Sequence, residues 1–163
     1  MNRDPFPPLI SPRSPSYERA WREFPHPTTH DGAETVALLA RLSEAEQNAS
    51  SACTRMLAAL EDDEYADVVR DLSDLHAARR QALGKLIERF GGSAPIDREC
   101  RDLLVQGTDA AARARNAKEA QQALGVLRRE LAAEYAAALQ NAGLDEAQRT
   151  ALAALAPDPN LPV

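Results

Sequence analysis

The side chains best equipped for chemistry in this chain form two groups, one suited to recognition and one to proton handling. Phe6, Tyr17, Trp21 and Phe24, four of its seven aromatic residues, lie within the first 24 positions, and Arg13, Arg19 and Arg22 share that segment. Aromatic rings and guanidinium groups are the residue types enriched at binding hot spots. Tyr17, Trp21 and Phe24 fall at i, i+4 and i+7, one face of a helix, which is the anchor spacing of helix-in-groove docking. In the second group, Cys53 and His76 are the residue types of a nucleophile and its base, but no third group is spaced to orient the imidazole. The ordinary role of a histidine in such a context is a partly buried ring hydrogen-bonded to a neighbouring carboxylate or carbonyl. No G-x-S-x-G elbow, phosphate-binding glycine loop or dinucleotide fingerprint occurs. Cys53 and Cys100 stand in neither C-x-x-C nor zinc-type spacing. The chain therefore reads as a non-enzyme that needs no cofactor.

The elements that must carry these groups follow from proline placement and helical periodicity. Residues 1–30 hold seven of the eleven prolines and read as an extended, polyproline-like arm. Within it Ser14 is an N-cap signal and Pro15 suits a first helical position, so a short helix is predicted over 15–24. Such a helix is marginal alone, because nucleation is costly, and it orders on contact. A bundle is expected over 31–156 and a proline-rich tail over 157–163. Val36, Leu39, Leu42, Ala45, Ala49, Cys53, Met56 and Leu60 recur at three and four residues, which predicts a helix from Asp31 or Gly32 to about Leu60. The acidic run Glu61–Glu64 suits a turn and the first turn of a second helix, which runs to Phe90 and stops at Gly91-Gly92. A third helical segment, in one piece or two, is expected over about 96–115, weakened inside by Gly107, a fourth from Asn116 to Asn141, and a last short one from Asp145 to Leu155. No strand-like alternation appears. The expected class is all-α, an antiparallel four-helix-type bundle with a crossover segment and a short last helix.

Charge and hydropathy narrow the partners. The formal net charge is −6, and the arginines on the predicted helices are interleaved with Asp and Glu as on solvated faces, so neither nucleic acid nor an anionic membrane is an expected partner. No run approaches the ~20 apolar residues of a membrane span, and no apolar stretch of signal-peptide length opens the sequence. The expected setting is cytoplasmic and reducing.

The order of two long helices, a Gly-Gly turn, a crossover and another long helix resembles the ferritin-like superfamily, in particular its small bacterial bundles, over roughly residues 33–156. The phrase His76-Ala-Ala-Arg-Arg-Gln-Ala-Leu-Gly-Lys-Leu-Ile-Glu-Arg-Phe-Gly-Gly92 is similar to the end of the second ferritin-like helix. Members with a di-metal centre place a glutamate on each of two helices and Glu-x-x-His on each of the other two. The resemblance implies His76 as the histidine, Glu46 or Gln47 in the region of the first-helix glutamate, and Glu130 or Glu134 on the fourth segment. The match is incomplete: Ser73 stands where Glu-x-x-His requires glutamate, and the last helix has no histidine. Three ligands at most fall short of the four to six such metals take, so no metal is expected. Glu130 and Glu134 then read as stripe-edge carboxylates within a helix turn of Arg128 and Arg129. The expected function is that of an accessory or scaffolding subunit docking to a protein partner or complex through residues 1–30. The alternatives are a degenerate metal-binding, redox or storage protein and a self-associating homodimer.

Overall fold

The computed structural model describes residues 32–60, 65–93, 101–141 and 143–159. The arm over 1–30 with its helix over 15–24, Cys100 and the last four residues of the tail lie outside them. The described residues form five α-helices and no strand: α1 Gly32–Leu57, α2 Tyr65–Arg89, α3 Val105–Arg113, α4 Ala117–Leu139 and α5 Glu146–Leu155.

Each boundary has a local cause. Gly91 has φ 75°, the left-handed conformation that a side chain disfavours. Its N–H and that of Gly92 return to the carbonyls of Glu88 and Ile87 at 3.0 and 2.9 Å, a Schellman closure of α2. Asn116 caps α4 by accepting from the Glu119 N–H, and Asp145 and Gln148 form a reciprocal capping box at the start of α5. The first helix stops at Leu57, earlier than its apolar period suggests. A turn carries the chain on, with Ala59 and Leu60 donating to the carbonyls of Met56 and Leu57, and Leu60 is buried just past the helix end.

Residues 96–100 of the third segment lie outside the described residues, and its described part departs most from expectation. Residues 101–104 are not helical, and α3 spans only nine residues. They run as a strap across α1 instead: Arg101 pairs with Glu44 at 2.9 Å, the Leu103 N–H donates to Asn48 Oδ1 at 2.6 Å, and Leu104 is fully buried. One strap N–H thus finds its acceptor on α1, in place of a helical carbonyl, and the ion pair holds the strap's start there. Gly107 lies in the first turn of α3, not in the middle of a long helix. A Cβ there would stand 2.8 Å from the Leu127 Cα, so this glycine permits close approach of α3 to the α4 backbone.

Helix α1 is the hub. It packs on α2, α3 and α4, α3 packs on α4, and α5 packs on α4. Consequently Leu42, Ser43, Glu44, Ala45 and Glu46, five consecutive residues spanning more than a turn, are all buried. An ordinary amphipathic helix buries one stripe only. The meeting faces are rich in alanine, with Ala45, Ala49, Ala52, Ala120 and Ala123 essentially inaccessible. Small side chains let the helix axes come close while Leu39, Leu83, Leu131 and Tyr135 fill the remaining space. Contacts run in opposite senses along α1 and α2, from Ser50 with Ser73 to Glu46 with His76, so the two are antiparallel. No described helix is long and apolar enough to cross a membrane.

Candidate functional site

Glu46 comes from the encircled part of α1 and is 0% exposed. A carboxylate without partners in that position would cost several kcal/mol. Both oxygens are engaged. Oε2 lies 2.6 Å from His76 Nδ1 on α2, and Oε1 accepts from the Tyr135 hydroxyl on α4 at 2.7 Å. One buried carboxylate thus joins three helices. Nδ1 carries the proton toward Glu46, which fixes the ring's orientation. His76 is 9% exposed, and Tyr135 is fully buried.

One turn further along the α1–α2 seam, Ser73 occupies the position where the ferritin-like pattern has glutamate. Its hydroxyl lies 3.4 Å from that of Ser50 and 3.5 Å from the Ser50 carbonyl oxygen. Two small hydroxyl groups bring the helices together at a level where a longer carboxylate would need space. Cys53 is buried on the same helix as Glu46. Burial pushes its thiol up to about 12, a backbone hydrogen bond opposes this, and the Glu46 charge adds to it. A thiol held protonated in this way is a poor nucleophile, and Nδ1 of His76 is already committed to Glu46.

The other two carboxylates singled out in the sequence sit elsewhere. Glu134 forms a two-pronged pair with Arg41 of α1, from Nε at 2.5 Å and a terminal nitrogen at 2.8 Å. The bond to Glu134 is also the chief reason that the Arg41 guanidinium is held above its usual range. Glu130 accepts from the backbone N–H groups of Gln106 and Gly107 at 3.1 and 2.8 Å. It therefore caps α3 from a neighbouring helix, placing negative charge at the positive end of that helix dipole. The expected partners Arg128 and Arg129 are not the groups that hold these carboxylates. Arg128 is half-buried instead, its guanidinium pushed below the usual range chiefly by burial, which the neighbouring Tyr65 and Asp158 oppose and the charge of Arg79 reinforces.

The residues present do not fit a di-metal centre. Of the four candidates, Glu46 and His76 meet, but the carboxylate has no oxygen without a protein partner. Glu130 and Glu134 serve a helix cap and an ion pair. Among the described residues no three of His, Cys, Asp and Glu gather in a way that would hold a metal ion. A solvent-open groove of about 870 Å³ lies along the outer side of the α1–α2 pair, lined by Ser43, Ala77, Gly84, Lys85 and Glu88 among others, and His76 does not line it.

Sequence reasoning placed Glu46 and His76 on helices that meet, and read Tyr135 only as an apolar stripe residue. A usable signal was present. A tyrosine on a core stripe must place its hydroxyl on an acceptor, and a glutamate at a buried helical position is the acceptor most in need of a donor. Phe6, Arg13, Tyr17, Arg19, Trp21, Arg22 and Phe24 lie outside the described residues. No protein-family model matches this chain, and no curated protein or solved structure does either.

Proposed function

We propose that this protein is a non-catalytic helical-bundle accessory or scaffolding subunit that docks to a protein partner through residues 1–30. The observation that carries the reading is the closed network at Glu46. The polar groups best placed for chemistry in the bundle bind one another, so the bundle acts as a support. The recognition chemistry, Tyr17, Trp21 and Phe24 with Arg13, Arg19 and Arg22, resides in the arm. The path from α1 through an antiparallel α2 and a crossover into α4 supports a ferritin-like, four-helix-type plan in which α5 is a shortened last helix. Against the metal-binding, redox or storage alternative stands the use of its candidate ligands elsewhere: Glu46 and His76 bind each other, Glu130 caps α3, and Glu134 pairs with Arg41.

The test is affinity capture from cells expressing the full chain beside a chain carrying Tyr17→Ala, Trp21→Ala and Phe24→Ala. A defined stoichiometric partner recovered with the first and lost with the second, at equal helicity, is the expected result. A partner retained by the triple variant would overturn the assignment to the arm, and the lack of any stoichiometric partner would overturn docking.

A further inference from the structure

Helix α2 carries two stripes. Ala66, Val69, His76, Leu83 and Ile87 are buried, most of them on the side that meets α1. Val68, Leu72, Leu75, Arg79 and Ala82 recur at four, three, four and three residues, and all are half-buried. That spacing is the seam of a helix with a second helical neighbour. Leu72 packs against the core cluster, whereas Val68, Leu75 and Ala82 do not join it. Among the described helices α2 packs extensively on α1 alone; α4 meets it through the Glu46 network and brings Arg128 within charge range of Arg79.

The missing neighbour has a structural origin. In an antiparallel four-helix plan the corner flanking α2 belongs to the last helix. Here α5 has 10 residues, about 15 Å, beside the 25 residues of α2, about 37 Å. Its main packing is on α4.

The chain itself holds a segment of matching form. The arm enters α1 at Gly32, and Val36 in the first turns of that helix lies against Gly92 at the end of α2. The arm is therefore delivered to the foot of α2. Eight residue steps separate Phe24 from Gly32, enough to span at most about 28 Å. Leu75 is 17 residues before Gly92, about 26 Å along the helix axis, and so within reach. The segment between Ser93 and Arg101 is less suited, because Arg101 ties its far end to Glu44 of α1. Tyr17, Trp21 and Phe24 repeat at four and three residues, the same spacing as Leu75, Arg79 and Ala82.

We propose that in the free chain residues 15–24 lie along α2, with Tyr17, Trp21 and Phe24 covering Leu75, the Arg79 stem and Ala82. The protein's own arm then supplies the corner that α5 leaves open. The inference concerns the free chain and stands apart from the partner reading. Where a partner also takes these rings, it competes with α2 for them.

Trp21 is the chain's single tryptophan, so its fluorescence reports the arm directly. In the full chain its emission is expected to be blue-shifted from that of a solvated indole, at all protein concentrations at which sedimentation shows a monomer. Leu75→Asp should shift it to the red and raise the acrylamide quenching constant about threefold, with helical circular dichroism retained. Gln122→Lys, on the exposed face of α4, should change neither. If Leu75→Asp loses helicity, Ala82→Gln replaces it, with the same direction expected. A solvated emission in the unmodified chain, or one indifferent to the α2 substitutions in a folded protein, overturns the proposal. Burial that appears only as a dimer forms also overturns it, and assigns the face to a second copy.

Discussion

Two glutamates hold this fold together in contrasting ways, Glu46 at the junction of α1, α2 and α4 and Glu130 at the seam of α3 and α4. Glu46 has no exposure and both oxygens on side chains from other helices, whereas Glu130 is half-buried and accepts from backbone N–H groups. The residue type is the same and the number of bonds is the same. Burial separates them: at Glu46 water cannot replace a lost partner, and at Glu130 it partly can. The difference also explains why only the first resembles a functional centre. A buried acid, imidazole and phenol are the components of proton chemistry, but here each is needed to neutralise the burial of the others.

The largest effect expected from breaking this comparison is at Glu46. Glu46→Ala strands His76 Nδ1 and the Tyr135 hydroxyl in a dry site, and should cost about 3–5 kcal/mol in denaturant unfolding. Tyr135→Phe removes one donor and leaves the carboxylate one bond short, for about 1–3 kcal/mol. At the other seam, Gly107→Ala forces a methyl against the Leu127 backbone, 2.8 Å from its Cα, and should cost about 1–3 kcal/mol through overpacking. Glu130→Ala removes only the cap of α3, for about 1 kcal/mol. Equal losses for Glu46→Ala and Glu130→Ala would break the account of burial as the deciding factor.

A smaller effect sharpens the picture of the dry seam. The Cys53 thiol is raised to about 12 from an ordinary value of 9.0. Because the folded value lies above the unfolded one, its contribution to stability is complete below pH 9 and is lost progressively as pH rises toward 12. In a Cys100→Ser chain at pH 8, labelling of Cys53 by a thiol reagent should proceed at the rate of unfolding. Rapid labelling of the folded chain would show that the seam admits solvent.

The sequence made the helices legible because helical period, Gly91-Gly92 and the signals at Asn116 and Asp145 are local. It also put Glu46 and His76 on two long helices read as antiparallel neighbours, their meeting being implied by the ferritin-like resemblance alone. The crossover differs from its sequence expectation for a physical reason. Its helical length depends on Glu130, 23 residues beyond Gly107, on Asn48 and Glu44 of α1, and on contact with Leu127. None of those is a neighbour in sequence. The partners of Glu134 and Glu130 were missed likewise, since nearby Arg128 and Arg129 satisfy a local rule that tertiary contacts override. Tyr135 escaped notice because its ring fits the apolar stripe and only its hydroxyl departs from it.

The central claim is that the Glu46 carboxylate is spent on folding and has no capacity for a ligand. Equilibrium dialysis of the full chain against ferrous or manganous ions, followed by elemental analysis, tests it most directly. The account predicts less than about 0.1 metal per chain, unchanged in Glu46→Gln. One or two ions per chain, lost on that substitution with the fold intact, would contradict it.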